Sequence, residues 1–502
     1  MTQTTTDDRS AQSEAGDVTH VDVLIVGAGV SGIGVAHNLL DKYPDRTFAI
    51  LDAQETYGGT WWAHRFPGIR SDSDLFTYGY RHKPWRGPSI ATAAEIRNYL
   101  GEVIDENDLT RHIRYQHRVT SLSWSSTNSE WTAEVTRGDT GEQLRFTSSF
   151  LWMCQGYYNY DEPYQPQWPG MDRYKGTVVH PEQWPDDVQY AGKKVVIIGS
   201  GATTATVAPA VAQTAELVTV LQRSPSYFFP RPVKHDLAAL LEPLELPDEW
   251  THEILRRQYI LEGDAVINLS FEDPDELRTV LLDSVRELVP EGTDFEKHFV
   301  PTYRPWQQRI VMVPDGDFFE RMRAGKITMV TDTIDEFVEN GIRVSSGEVL
   351  EADLIVTATG FNMSTFGDIP FEVDGEPVDF TSRVTWRGVM ISGIPNMAYA
   401  FGYFRSSWTL RIDIINDLVG RIFDRMTEHA ARMVVPTLRP ADEGMELRPW
   451  IESENVSAGY MMRALDTLFR QGDRDPWKHL YEYSHERDAF PTVDIEDGLD
   501  YR

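Results

Sequence analysis

The hydrophobic pattern of the chain changes period in the same way at two places. Val21–Val26 (VDVLIV) is a short, nearly continuous apolar run, which predicts a strand buried on both faces. Beyond Gly27-Ala28-Gly29, apolar residues recur at helical spacing through Ile33, Ala36 and Leu40, which predicts a helix. A second apolar run, TFAILDA, ends at Asp52. The same order of strand, glycine turn, helix and strand returns in KKVVIIGSGATTATVAPAV and LVTVLQRS, the latter ending at Arg223 and Ser224. Between about 232 and 300, stretches such as DEWTHEILRRQYIL and DPDELRTVLLDSVRELV are rich in Glu, Leu and Arg and predict a helical insertion. The whole reads as an α/β chain built on two Rossmann-like units.

The glycines say what such units hold. In Gly27-x-Gly29-x-x-Gly32 the first glycine permits the tight turn, the second lets a pyrophosphate approach the backbone, and the third lets helix pack on strand. The helix amino terminus then faces the phosphate charge. Asp52 stands where an acid hydrogen-bonds an adenosine 2′-hydroxyl, so this unit suits a dinucleotide without a 2′-phosphate. In the second unit Gly199 and Gly201 are followed by Thr203 and then Thr204, where Gly or Ala is usual. That departure either loosens the packing of helix on strand or shifts the register to Ala205. Its next strand ends at Arg223 and Ser224, and an arginine there grips a 2′-phosphate where an acid would repel it. The second site should therefore prefer NADPH. Two sites of opposite polarity imply two cofactors, and FAD with NADPH is the common pairing for a flavoenzyme. Gly59, Thr60 and Trp61 in GGTW suit the flavin or its phosphates, or simply make a turn.

Composition narrows the picture. Asp and Glu outnumber Lys and Arg by 78 to 47, and the net charge of −31 opposes binding to nucleic acid or to anionic lipid. No apolar run reaches the ~18 residues of a membrane helix, and the polar, acidic residues 1–19 read as a disordered tail rather than a secretory signal, so a cytoplasmic location is expected. The single cysteine, Cys154, excludes a CxxC pair and reads as a small core residue. No HExxH or Cys/His clustering suggests a metal. The acidic end DIEDGLDYR is expected to be loose.

With both fingerprints in hand, Tyr174-x-Gly176-x-x-x-His180-x-x-x-Trp184-Pro185 resembles the signature of the Baeyer-Villiger monooxygenases, within the class B flavin monooxygenases; the family form begins with Phe. GGTWWAHRFPGIRSDSD, CQGYYNYDEPY, LQRSPSY, PWQQRIVMVPDGDFF and MISGIPNMAYAFGY resemble most the ethionamide-activating subgroup. The resemblance covers nearly the whole chain from residue 20. It implies an FAD domain of residues 20–157 and 331–502, split by a nested NADP domain of residues 158–330 that carries the helical insertion at the edge of the substrate cavity. DLIVTATGF (353–361) would be the return to the FAD domain. The signature segment would be a linker that couples domain rotation, with His180 structural and not a general base.

The resemblance further implies NADPH- and O2-dependent oxygen insertion beside a ketone carbonyl by a C4a-peroxyflavin, giving an ester or lactone. Arg309 would hold the peroxyanion, Asp72 would orient Arg309, and NADP would remain bound as gatekeeper. An arginine suits this task because it stays charged and offers several fixed donors. The substrate would be a small apolar ketone or sulfide, and the protein a monomer or weak homo-oligomer. YGYRHKPW and AYAFGYFRSSW are candidates either to line the pocket or to fill the core. Three rivals remain. One is a flavin enzyme that oxygenates nitrogen or sulfur only. A disulfide oxidoreductase would need a second cysteine. A nucleotide-binding regulator without turnover would be favoured by loss of the arginine.

Overall fold

A computed structural model describes residues 18–502. Most of the expected tail lies outside the described residues, but Val18 and Thr19 already belong to the first strand, Val18–Val26. That strand sits inside a 9-stranded sheet. It runs parallel to Phe48–Leu51 on one side, with Val23 opposite Phe48, and to Gln143–Met153 on the other. Val23, Leu24 and Ile25 are fully buried, as a parallel strand covered on both faces requires. The sheet continues through the antiparallel strands Glu130–Arg137 and His117–Ser125. The helix Val30–Lys42 buries Ile33, Val35, Ala36 and Leu39 and closes one face.

A second, wholly parallel sheet runs Ile327–Thr331, Leu217–Gln222, Lys194–Ile198, Leu354–Thr357, Thr177–Val179. Two expectations change here. Leu354–Thr357 is hydrogen-bonded between Lys194–Ile198 and Thr177–Val179, so the second unit extends past 330 and the strand of DLIVTATGF belongs to it. Only the following turn, through Gly360 and Phe361, comes back to the main cavity. The signature segment is also no free linker, because its residues Thr177–Val179 form the edge strand of this sheet. Tyr174 anchors it by donating to the Ala352 carbonyl at 2.9 Å, and a Cβ at Gly176 would lie 2.7 Å from the Asp353 carbonyl oxygen.

The insertion is helical, with Asp236–Leu241, Asp248–Glu272, Pro274–Arg286 and Phe295–Phe299. It sits one layer out from the main cavity rather than at its edge: no residue between 232 and 300 lines that cavity. Buried Arg256 docks it on the first unit, donating to the carbonyls of Phe76 and Gly79, each at 2.9 Å, and to Asp413 at 3.2 Å. The carboxyl end is not loose. Leu499–Tyr501 pairs with Val434–Pro436, and the Arg432 and Met433 amides both donate to the Arg502 carbonyl. Among the described residues no helix is long and apolar enough to cross a membrane.

Candidate active site

Both glycine turns open on one cavity of about 780 Å³. Gly27 holds φ +107, and a Cβ there would lie 2.5 Å from the Cys154 carbonyl oxygen, so the turn requires glycine. A Cβ on Gly32 would lie 1.9 Å from the Gly27 carbonyl, which is the close helix-on-strand packing expected of the third glycine. Gly199 repeats the first role, at φ +142 and 2.4 Å from the Ala358 carbonyl. Thr204 fills the third position of the second turn. The helix Ala202–Val211 starts directly after Gly201, as Val30–Lys42 starts after Gly29, so the register does not shift to Ala205. The cost shows in the Thr204 hydroxyl, which is buried without a hydrogen-bond partner among the described residues.

Neither Gly29 nor Gly201 offers a side-chain cap, so the first amides of a 13-residue and a 10-residue helix are left free. Gly29 and Gly201 both line the cavity, and beyond Gly201 an added Cβ would meet nothing within 4 Å. Two uncapped helix termini at one cavity fit two dinucleotide pyrophosphates. Asp52 lines the cavity from the end of its strand. Its Oδ2 accepts from the Ala28 amide at 2.6 Å and Oδ1 from the Gln54 amide at 2.7 Å. Burial raises its pKa, and those two bonds oppose the shift. Gly59, Thr60, Trp61 and Thr203 also line the cavity. Thr60 Oγ1 bonds the Tyr160 hydroxyl at 2.9 Å and Trp61 Nε1 donates to Tyr78 at 2.8 Å, so the GGTW stretch is held from two sides. Arg223 and Ser224 do not line it; they stand exposed beyond the strand Leu217–Gln222.

Arg309 and Asp72, 237 residues apart, meet on the cavity wall. Arg309 Nε donates to Asp72 Oδ2, and Nη2 donates to Asp72 Oδ1 at 2.8 Å and to Ser73 Oγ at 3.1 Å. Burial disfavours the guanidinium charge, but the Asp72 carboxylate outweighs it and holds the arginine above its ordinary pKa. A fixed cation thus faces the cavity with its Nη1 only weakly engaged, 3.4 Å from the Phe404 carbonyl.

Sequence reasoning missed the tyrosines that line the cavity near Arg309. Tyr157 and Tyr158 join hydroxyls at 2.7 Å, and with Tyr460 they line the same cavity. Burial holds all three phenols well above their ordinary pKa, so they stay protonated. CQGYYNYDEPY carried the signal as a run of tyrosines, but nothing local tells lining from core. The stretch 398–408 does both: Phe401, Tyr403, Phe404 and Trp408 line the cavity, Phe401 and Phe404 also belong to the core cluster of Tyr399, and Tyr399 itself does not reach the cavity. Tyr78 alone of YGYRHKPW reaches it. Cys154 is buried, and burial raises its thiol pKa strongly.

A second feature missed from sequence lies at the edge of the site. His64 lines the cavity with both ring nitrogens buried and unpartnered among the described residues. Burial, assisted by His180, pushes its pKa down to about 4. His180 caps the turn that follows it, its Nδ1 accepting from the Glu182 amide at 3.2 Å, while its Nε2 is buried without a hydrogen-bond partner among the described residues and burial pushes its pKa to about 4. Both carboxyl oxygens of Glu182 are buried without a hydrogen-bond partner among the described residues, the His180 Nδ1 lying 3.9 Å from Oε2, and burial pushes its pKa up to about 8.

Comparison with known proteins gives the family and the fold. Residues 83–239 match the flavin-binding monooxygenase-like family. The FAD-containing monooxygenase EthA of Mycolicibacterium smegmatis is 43% identical over 466 residues, spanning 92% of this chain and 93% of the relative. The chain belongs to the flavin-binding monooxygenase-like family. A second relative, the probable FAD-binding monooxygenase AlmA of Acinetobacter baylyi, is 39% identical over 482 residues, 96% of this chain and 95% of its own. Among solved structures, an oxidized steroid monooxygenase bound to NADP superposes with TM-score 0.76 at 24% identity, covering 96% of this chain and 99% of that one. An open cyclohexanone monooxygenase gives 0.73 at 21%, covering 96% and 100%. This class B flavin monooxygenase therefore shares their two-unit fold, and it carries the glycine turns, Asp52, Asp72 and Arg309 in its own cavity.

Proposed function

We propose that the protein is an NADPH-dependent FAD monooxygenase that inserts one atom of O2 beside the carbonyl of a small apolar ketone, yielding an ester or lactone, and that it also oxidises sulfides. The observation that carries this reading is the Arg309–Asp72 pair facing an aromatic cavity onto which both dinucleotide turns open. FAD would lie along Gly27, Gly29 and Asp52, with Gly59, Thr60 and Trp61 beside it. NADPH would lie along Gly199, Gly201 and Thr203, with Arg223 and Ser224 at its 2′-phosphate. The bound flavin supplies activated oxygen once NADPH has reduced it. The chain supplies the rest. Arg309, kept charged by Asp72, stabilises negative charge where oxygen meets the carbonyl. Phe401, Phe404 and Trp408 exclude water and favour an apolar substrate. The ketone is supported by the steroid and cyclohexanone enzymes among the fold neighbours.

A second reading, oxygenation of sulfur or nitrogen alone, is favoured by the Tyr157, Tyr158 and Tyr460 phenols. They are protonated donors lining the same cavity and would neutralise the anion that ketone attack needs. The test is to supply the purified holoprotein with NADPH, O2 and a panel of linear ketones, cyclic ketones and thioethers, measuring products and hydrogen peroxide. Esters or lactones support the first reading, and Arg309→Ala should then keep NADPH-dependent bleaching of the flavin while losing ester. Sulfoxides without esters support the second. A flavin that NADPH does not bleach sinks both.

A further inference from the structure

The loop that carries Asp72 also carries a second, oppositely polarised ion pair. Arg70 grips Asp317 with both arms of its fork, Nη1 to Oδ2 at 2.6 Å and Nη2 to Oδ1 at 3.2 Å. Both side chains are largely shielded, at 18% and 30% exposure. Asp317 opens the helix Asp317–Arg323, whose Phe318 and Phe319 are fully buried in the core of the second unit. Arg309 and Asp317 therefore stand at opposite ends of the strand Val311–Pro314. Arg70 and Asp72, only two residues apart on one loop, hold those two ends.

The loop is itself wedged between the units. Phe66 is buried in the core of the second unit and Ile69 packs against it. Gly68 adopts φ +78, with its absent Cβ 2.7 Å from Ala210 Cβ and 2.9 Å from the Thr206 carbonyl oxygen. On the other side the Ile69 carbonyl accepts from Ala93, and the Ser71 amide donates to the Ala91 carbonyl at 2.8 Å, which ties the loop to the first unit. The charge order, plus then minus on the loop against minus and plus on the strand ends, penalises any slip that would set like charges together. A bidentate arginine pair adds direction as well as attraction.

We propose that Arg70–Asp317 is a positioning pair that sets Arg309 in the cavity by fixing the far end of its strand to the loop of Asp72, so that the state of the NADP unit is felt at the flavin. The oxygen-transfer readout rests on the functional reading above. Arg70 also lines the cavity, whereas Asp317 does not, so Asp317 is the residue to change.

The experiment compares Asp317→Asn and Asp317→Glu holoenzymes with the parent. D317N keeps shape and an acceptor but loses the charge. Displacing a catalytic group by ~1 Å can cost ~100-fold, so a loosened Arg309 should lower product formed per NADPH consumed by roughly tenfold, the balance appearing as hydrogen peroxide. NADPH should still bleach the flavin within about twofold of the parent rate, and D317E should recover most of the coupling. A readout that needs no substrate is the temperature of flavin release with and without NADP. The parent's NADP-induced rise should shrink by at least about half in D317N. Coupling within twofold of the parent overturns the proposal. So does a parallel fall of bleaching rate and coupling that D317E does not rescue, because that pattern marks a merely structural role. If the parent oxygenates neither ketone nor thioether, the functional reading fails separately and the flavin-release comparison alone decides the clamp.

Discussion

Gly32→Ala and Gly201→Ala are the same change at two matching turns, and the structure expects opposite results. At Gly32 the new Cβ would lie 1.9 Å from the Gly27 carbonyl oxygen, where a carbon normally approaches no nearer than about 3.3 Å. The obstacle is backbone, so the helix Val30–Lys42 must recede from its strand by more than about 1 Å. Overpacking of this kind costs about 1–3 kcal/mol, and a rigid obstacle puts it at the upper end. At about 2–4 °C per kcal/mol the temperature of flavin release should fall by roughly 6–12 °C, with flavin content reduced on purification. At Gly201 nothing lies within 4 Å and the backbone is extended, so alanine costs at most about 1 kcal/mol as a poorer cap. The methyl group projects instead into the space proposed for the NADPH pyrophosphate. Flavin content and release temperature should match the parent, while KM for NADPH rises by roughly tenfold, equivalent to ~1.4 kcal/mol. The assay is flavin fluorescence on heating, followed by NADPH kinetics. A G32A protein that retains flavin and melts within about 2 °C of the parent would refute the packing argument. A G201A protein that loses flavin would refute the assignment of the second turn.

Two further outcomes follow from single side chains. Arg223→Glu should raise KM for NADPH at least tenfold and leave that for NADH unchanged or lower, since it swaps the proposed 2′-phosphate partner for one that repels phosphate, and steady-state kinetics with both cofactors decide it. Glu182 keeps its proton to about pH 8 in the fold against an ordinary value of 4.5, so between those values the unfolded chain has already released a proton that the folded protein retains. Glu182's own contribution to stability therefore falls as pH rises across that window and levels off above it, while His64 and His180, lowered to about 4, contribute the opposite slope up to about pH 6.5, so the Glu182 slope is read from the difference between variant and parent. Glu182→Gln should abolish this slope and gain at most about 5 kcal/mol over the parent at pH 8, with little difference near pH 4.5. Denaturation at several pH values would show a constant difference if the carboxyl were in fact ionised in the fold.

What the sequence determined by itself were the features written within a few neighbouring residues. Gly32 answers to the carbonyl of Gly27 five residues back, and Gly27 and Gly199 to positive φ within their own turns, so the spacing of strand, glycines and helix placed the turns even though the carbonyls that Gly27 and Gly199 crowd, Cys154 and Ala358, come from distant segments. The run from 232 to 300 was legible as helix because its composition favours helix throughout. Asp72 and Arg309 were reached only through resemblance, because 237 residues separate them and no local pattern distinguishes a cavity arginine from a surface one. Tertiary structure alone decided that Leu354–Thr357 completes the second sheet, that the carboxyl end is pinned by Val434–Pro436, and that Phe401 reaches the cavity from the core cluster it shares with Tyr399, which does not. It also decided that Arg70 meets Asp317. Backbone geometry is a short-range constraint and leaves its mark in the sequence beside it; strand order, side-chain facing and ion pairing depend on where distant segments arrive, and the packing of the whole core settles that.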